Sequence, residues 1–341
     1  MTSRASRVEV ERVRASLIFS IELLALEAIA VVLLTPIGFG QLLARLAPIL
    51  FRLRKLVVAC EEALASYVGV ETRLSGEFAD DRLSISEVVA GSAIATGVFG
   101  SAVAWAKPAG TTHFAMAPTG LEQLGGRLRV LSDARQPVIR VEKYQSDGSA
   151  SRFIVYVPGT QNLGAVNSNP LDMRSNLQLL AGQPSAASRA VDIALRRAGV
   201  EPTDQVMLVG YSQGGLIAAH LARQARAGQL DYRVEQIVTV GSPIGANSAD
   251  SLPNVLSIEN KSDFVHHLDL ISNPNAPNWL TLERDVPGDP VQAHEMAAYL
   301  QIMREIEASG EGRRDDQVQR VVEFASGPAE VSYFQLGQGK F

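Results

Sequence analysis

At 341 residues, with 46% apolar and 20% charged side chains, the chain can build one large or two ordinary domains around a sizeable core, unlike a disordered polypeptide. A net charge of −5 excludes the basic footprint expected of a nucleic-acid-binding domain. The single cysteine, Cys60, excludes an internal disulfide framework and a multi-cysteine metal site, and its helical, apolar setting reads as an inert core thiol.

The N-terminal third is rich in Ala, Leu, Val and Glu. Its pattern predicts a long helix over 6–34, a break at Thr35-Pro36-Ile37-Gly38-Phe39-Gly40, and a second helix over 41–74 in which Pro48 marks a kink or a new start. Two long helices about a short Gly/Pro turn predict an antiparallel hairpin. A third apolar stretch, 85–106, is packed with Gly, Ala and Ser. Two stretches have to be weighed as membrane spans. In 16–34 the large apolar residues favour insertion by roughly 0.3–0.6 kcal/mol each, while Glu22 and Glu27 oppose it by roughly 2.5–3.5 kcal/mol each, so the sum is near zero. The stretch 88–106 is uncharged, but Gly91, Ala95, Gly97, Gly100 and Ala104 give it little transfer energy and suit close helix packing. The balance favours buried helices of a soluble bundle over membrane spans. No cleavable signal peptide is recognised, because the first apolar run is long and lacks a small-residue cleavage site.

The hairpin resembles the helical-hairpin modules carried by substrates of actinobacterial type VII secretion systems, whose signature is a W-x-G turn followed by Y-x-x-x-D/E late in the second helix. Phe39-Gly40 occupies the turn loosely, without the tryptophan, and Tyr67-Val68-Gly69-Val70-Glu71 matches the second part. Tyr67 and Glu71 share one helix face, which a docking surface can read together. The resemblance implies that residues 1–75 meet a helical partner or the secretion machinery, and that the protein is secreted or envelope-associated by a non-classical route. A cytoplasmic location is the alternative.

The texture then changes, which divides the chain into a helical region over 1–115 and an α/β domain over 126–341. Strands are predicted at 127–131 and 138–145, paired antiparallel, with Asp147-Gly148 turning into a third strand at 152–157. Residues 186–198 show helical spacing, with Ala190, Val191, Ala194, Leu195 and Ala198 on one face. Further strands are predicted at 205–210, 234–241, 255–259 and 279–284, with helices from 216 to about 227, over 290–308 and over 316–324. Strands alternating with helices in this order predict a doubly wound, mostly parallel sheet.

The chemistry is concentrated at Gly210-Tyr211-Ser212-Gln213-Gly214, which follows the apolar strand 206–209 and opens a helix. In that context G-x-S-x-G is a sharp strand-to-helix turn that lifts a serine hydroxyl above the sheet edge, and only small residues two places before and after the serine leave room for it. The arrangement over roughly 127–325 resembles the α/β-hydrolase family, whose chain order is serine, acid, histidine. The resemblance implies Ser212 as nucleophile. Among five histidines, His294 follows the last predicted strand, where the family keeps its base. His113 precedes the sheet, His220 lies two helical turns past Ser212, and His266 and His267 belong to the segment expected to supply the acid. Asp263 follows the strand 255–258 by a few residues, and Asp263-Phe264-Val265 resembles the family's Asp-Pro-Val; Glu259, Asp269 and the more distant Asp250 are rivals.

The resemblance also implies an oxyanion hole from the backbone N–H of Gln213 and one from the loop Val157-Pro158-Gly159-Thr160-Gln161-Asn162, with Thr160 the better candidate. Pro158-Gly159 departs from the family's frequent His-Gly. Gly-Tyr-Ser-Gln-Gly further resembles the serine motif of cutinases and related actinobacterial esterases, which usually carry disulfides that this chain cannot form. The expectation is a serine hydrolase acting on a small-molecule or lipid-like carboxylic ester, without cofactor, metal or nucleic acid. Alternatives are a thioesterase or acyltransferase using the same residues, or a non-catalytic binding or secreted module. The polar loops 167–170 and 271–277 are expected to shape the pocket.

Overall fold

Val206, Met207, Leu208 and Val209 are all but fully buried, as befits a strand inside a sheet covered on both faces. Val206 and Leu208 belong to one hydrophobic cluster, Met207 and Val209 to another, following the two-residue alternation of a strand. The computed structural model describes residues 102–146, 149–162, 168–263, 265–269, 271–289, 291–310 and 315–339. The helices expected over 6–34 and 41–74, the membrane candidate 16–34, residues 88–101 of the second candidate, Cys60 and the Tyr67–Glu71 pair lie outside them. No helix among the described residues is long and apolar enough to cross a membrane.

In chain order the elements are β1 (Val103–Pro108), β2 (His113–Met116), α1 (Leu121–Asp133), β3 (Val138–Ser146), β4 (Ser149–Val157), α2 (Met173–Leu180), α3 (Ala186–Arg197), β5 (Gln205–Tyr211), α4 (Gln213–Arg226), β6 (Arg233–Val240), β7 (Asn254–Asn260), β8 (Trp279–Arg284), α5 (Met296–Ser309), α6 (Asp316–Val322) and β9 (Pro328–Gly339). They form one nine-stranded mixed sheet in the order β1-β9-β3-β4-β5-β6-β7-β8, with β2 on another stretch of β9. From β4 to β8 every pairing is parallel; β3 pairs antiparallel with β4 and β9, and β1 and β2 antiparallel with β9. Helices lie on both faces: α3 and α4 pack with Val206 and Leu208, and α1, α5 and α6 with Met207 and Val209. This is an α/β fold. The face predicted for α3 is the buried one, and a reciprocal Ser185–Ser188 capping box starts that helix.

The structure corrects three expectations. Residues 127–131, read as a strand, belong to α1. Arg127-Leu128-Arg129-Val130 alternates like a strand, but Leu121, Leu124, Leu128 and Leu131 recur at helical spacing and are the buried ones, while Val130 is exposed. Gly125 sits where a Cβ would lie 2.3 Å from Met303 Sδ, so its missing side chain lets α1 approach α5. Residues 103–108 and 113–116, placed in the helical region, are strands held by β9, so the sheet begins well before residue 126.

The third correction is β9 itself, which was not foreseen. Its alternation changes phase midway: Ala329 and Val331 are buried in one cluster, Phe334 and Leu336 in the other. Beneath α1, Glu142 is wholly buried and bonded by Arg127 (2.6 and 2.7 Å), Arg140 (2.6 Å), Tyr144 (2.6 Å) and Tyr156 (3.3 Å), which ties β3, β4 and α1 together.

Candidate active site

Because β4 to β8 run parallel, the segments after β4, β5, β7 and β8 all leave the same edge of the sheet. The ladder continues past the strand ends: Ser212 N–H donates to Val240 O (2.9 Å) and Gly241 N–H to Ile258 O (3.0 Å). The segments that leave this edge after β5, β6 and β7 are therefore pinned to one another at their roots.

Ser212 occupies the junction of β5 and α4 with φ 53° and ψ −118°. A non-glycine residue held there stores about 1–3 kcal/mol of backbone strain, sustained only by surrounding structure. The flanking glycines explain the motif. A Cβ on Gly210 would lie 2.2 Å from the Gly214 carbonyl carbon, and one on Gly214 would lie 2.0 Å from Val157 O. The turn is folded so tightly on itself and on the end of β4 that no side chain fits at either place.

His294 lies in a 3-10 turn, Gln292–His294, rather than in the helix predicted over 290–308, because that helix starts only at Met296. Its Nε2 is 3.0 Å from Ser212 Oγ, and its Nδ1 is 2.6 Å from Asp263 Oδ2. The Oδ1 of Asp263 accepts the Val265 N–H at 2.9 Å. Serine, imidazole and carboxylate are all buried. Burial alone would raise the Asp263 carboxyl, but the charge and hydrogen bond of His294, with the bonds from Tyr299 and Val265, outweigh it and hold the group below the ordinary carboxylate range.

The rival acids stand elsewhere. Burial pushes Asp269 up to about 7, and it accepts the N–H groups of Ala246 (2.9 Å) and Ile271 (3.5 Å). Glu259 is also pushed up to about 7, chiefly by burial, and bonds Asn273. Asp250 is exposed in the turn Ala249–Ser251. Of the other histidines, His113 stacks on Tyr333 and His220 is buried within α4 beside Arg223, its imidazole lowered to about 4 mainly by burial. The rings of His266 and His267 lie 3.8 Å apart, tilted by 47°, in the turn Val265–His267. Glu259, His266 and Glu283 bring ligand-type atoms within 4.8 Å of one another, but Lys261 Nζ already lies 3.4 Å from Glu283.

Gln213 opens α4, and its side-chain Nε2 donates to Asp172 O at 2.7 Å. Thr160 Oγ1 accepts from Asn176 Nδ2 at 2.8 Å, which ties the loop after β4 to α2. Of the predicted loop 167–170 only Asn167 lies outside the described residues, and Asn169 donates to Gln161 Oε1 at 3.2 Å; Asn273, in the 271–277 loop, bonds Glu259.

Sequence reasoning missed three neighbours of the site. Tyr211 stacks on His294 (ring centroids 5.1 Å apart) and donates its O–H to the His294 carbonyl. Asn260, buried, reaches from β7 to Val286 O (3.0 Å) and Ala293 O (2.9 Å), and holds the segment that presents His294. Tyr299 donates its O–H to Asp263 Oδ2 at 2.5 Å. The available signal was spacing, since Tyr299 falls in the first helical turns after His294. No protein-family model matches this chain, and no curated protein is significantly similar to it.

Proposed function

We propose that this protein is a serine hydrolase of the α/β-hydrolase kind that acts on carboxylic esters. One observation carries the reading: a serine at positive φ on a strand-to-helix turn, hydrogen-bonded to an imidazole that is itself bonded to a buried, ionised carboxylate. Ser212 attacks an acyl carbonyl while His294 Nε2 takes the hydroxyl proton. The tetrahedral intermediate collapses as His294 returns that proton to the leaving alcohol, giving an acyl-enzyme. Water, activated by His294, then releases the acid and restores Ser212. Asp263 keeps Nδ1 protonated and stabilises the imidazolium. Gln213 and Thr160 are the proposed oxyanion donors, since one opens the helix after the serine and the other follows Gly159, which lies against it. Thioesters and acyl transfer to other nucleophiles use the same steps.

The test is labelling by a fluorophosphonate. Native protein is expected to take one equivalent and Ser212→Ala none. Absence of label on native protein would favour a binding module instead, and label on the variant would mean another nucleophile.

A further inference from the structure

We infer that Tyr299 is a positioning residue of this site: its phenol, seated in the space left by Gly241, shares Oδ2 of Asp263 with His294 Nδ1 and fixes the carboxylate that orients the base. The inference rests on the serine-hydrolase reading. The bond is 2.5 Å, and both partners are buried, so no bulk water replaces it. The seat is specific. Gly241 follows β6 with φ +55°, and a Cβ there would lie 2.4 Å from Tyr299 Oη and 2.7 Å from Cζ. The ring of Tyr299 meets that of His294 edge-on (89° between planes, centroids 6.4 Å apart) and the ring of Tyr211 at 63°. The imidazole is thus held on one face by Tyr211, on its edge by Tyr299 and at Nδ1 by Asp263.

Two donors on Oδ2 and the Val265 N–H on Oδ1 leave the carboxylate one orientation. The phenol also acts on charge. It stabilises a carboxylate facing a neutral imidazole more than one facing an imidazolium, because the second is already compensated. Removing the O–H therefore favours the protonated base. The titratable and charged groups around the pair are Tyr211 on β5, Glu259 on β7, Asp133 at the end of α1, and Glu295 and Tyr299 at the start of α5.

Tyr299→Phe in the full chain is the test, because it keeps the buried ring. Per fluorophosphonate-titrated site, kcat on a soluble aryl ester should fall by about fivefold to tenfold with KM little changed, and the acid limb of kcat/KM should move up by about one pH unit. The shift should persist in a Glu259→Gln background, which removes the nearby carboxyl that titrates in the same range. A variant that is merely less stable would lose melting temperature and titrated fraction but keep the native limb, and that result would overturn the inference. The proton resonance of His294 Nδ1 gives a readout independent of turnover. It should move in Tyr299→Phe, and an unchanged resonance would sink the role of the phenol even in a protein that proves inert toward esters. An inert protein whose resonance does move would overturn the hydrolase reading alone, since the phenol's hold on the Asp263–His294 pair would stand.

Discussion

A Cβ placed on Gly159 would lie 3.0 Å from the Cβ of Ser212 and 3.1 Å from the ring of Tyr211. The segment after β4 thus passes Ser212 so closely that even a methyl group at Gly159 would press on it.

Gly159→Ala is accordingly expected to push this segment off Ser212. The fold should survive, because the neighbours need to give by only a few tenths of an ångström. Moving the proposed oxyanion donor lengthens its hydrogen bond to the developing charge, so kcat per titrated site should fall by about tenfold. Ester turnover alongside a thermal melt measures both effects; an unchanged kcat would remove the Pro158–Thr160 loop from the chemistry.

Strain at Ser212 should be visible in stability. Glycine adopts φ 53° freely, whereas alanine pays the same backbone cost as serine. Ser212→Gly is expected to be more stable than Ser212→Ala by about 1 kcal/mol in denaturant unfolding, although glycine normally destabilises. The reverse ranking would show that the turn is relaxed.

The buried carboxyl of Glu259 makes stability depend on pH. Its value in the folded protein, about 7, lies above that of an exposed glutamate, so folding favours the protonated form. The associated stability is present in full below the ordinary carboxylate value and is lost as pH rises through about 7. Between pH 4.5 and 8, native protein should lose on the order of 2 kcal/mol more than Glu259→Gln does. Paired denaturant titrations at the two pH values check the sign; equal losses would mean that the carboxylate is solvated.

Glu142→Gln should be among the most damaging single changes far from Ser212. It leaves the guanidinium groups of Arg127 and Arg140 without the carboxylate that both bond at the floor of α1. Breaking a buried ion pair from one side costs about 3–5 kcal/mol. Chemical denaturation reads the loss, which should appear without any change in the labelling of Ser212 by fluorophosphonate in the folded fraction.

Much of this site was legible because its parts carry local signatures. Gly210 and Gly214 announce a turn whose tightness the backbone contacts bear out, and Asp263 and His294 were reached by following strand ends. What the sequence hid were relations between distant segments. Nothing near Tyr299 announces that Gly241 vacates the space for its phenol. Asn260 looks like any polar residue after a strand until the segment it holds is in place. The same reason governs the fold: β5 shows as an apolar run and β6 to β8 as short segments rich in Val, Ile and Leu, whereas β1 is a largely exposed edge and β9 switches cores halfway along. In α1 the error was one of period, since a short alternation at Arg127–Val130 outweighed a leucine repeat that runs from Leu121 to Leu131.

The position of β9 has a consequence for biosynthesis. It lies between β1 and β3, and β2 also hangs from it, so partners from the two ends of the described chain must meet within one ladder. Until β9 has cleared the ribosome, the nascent chain carries β3 with one edge bare and β1 and β2 without the strand they pair with. Completion of the sheet therefore waits for β9, and the chain that still lacks it is the form most in need of a chaperone.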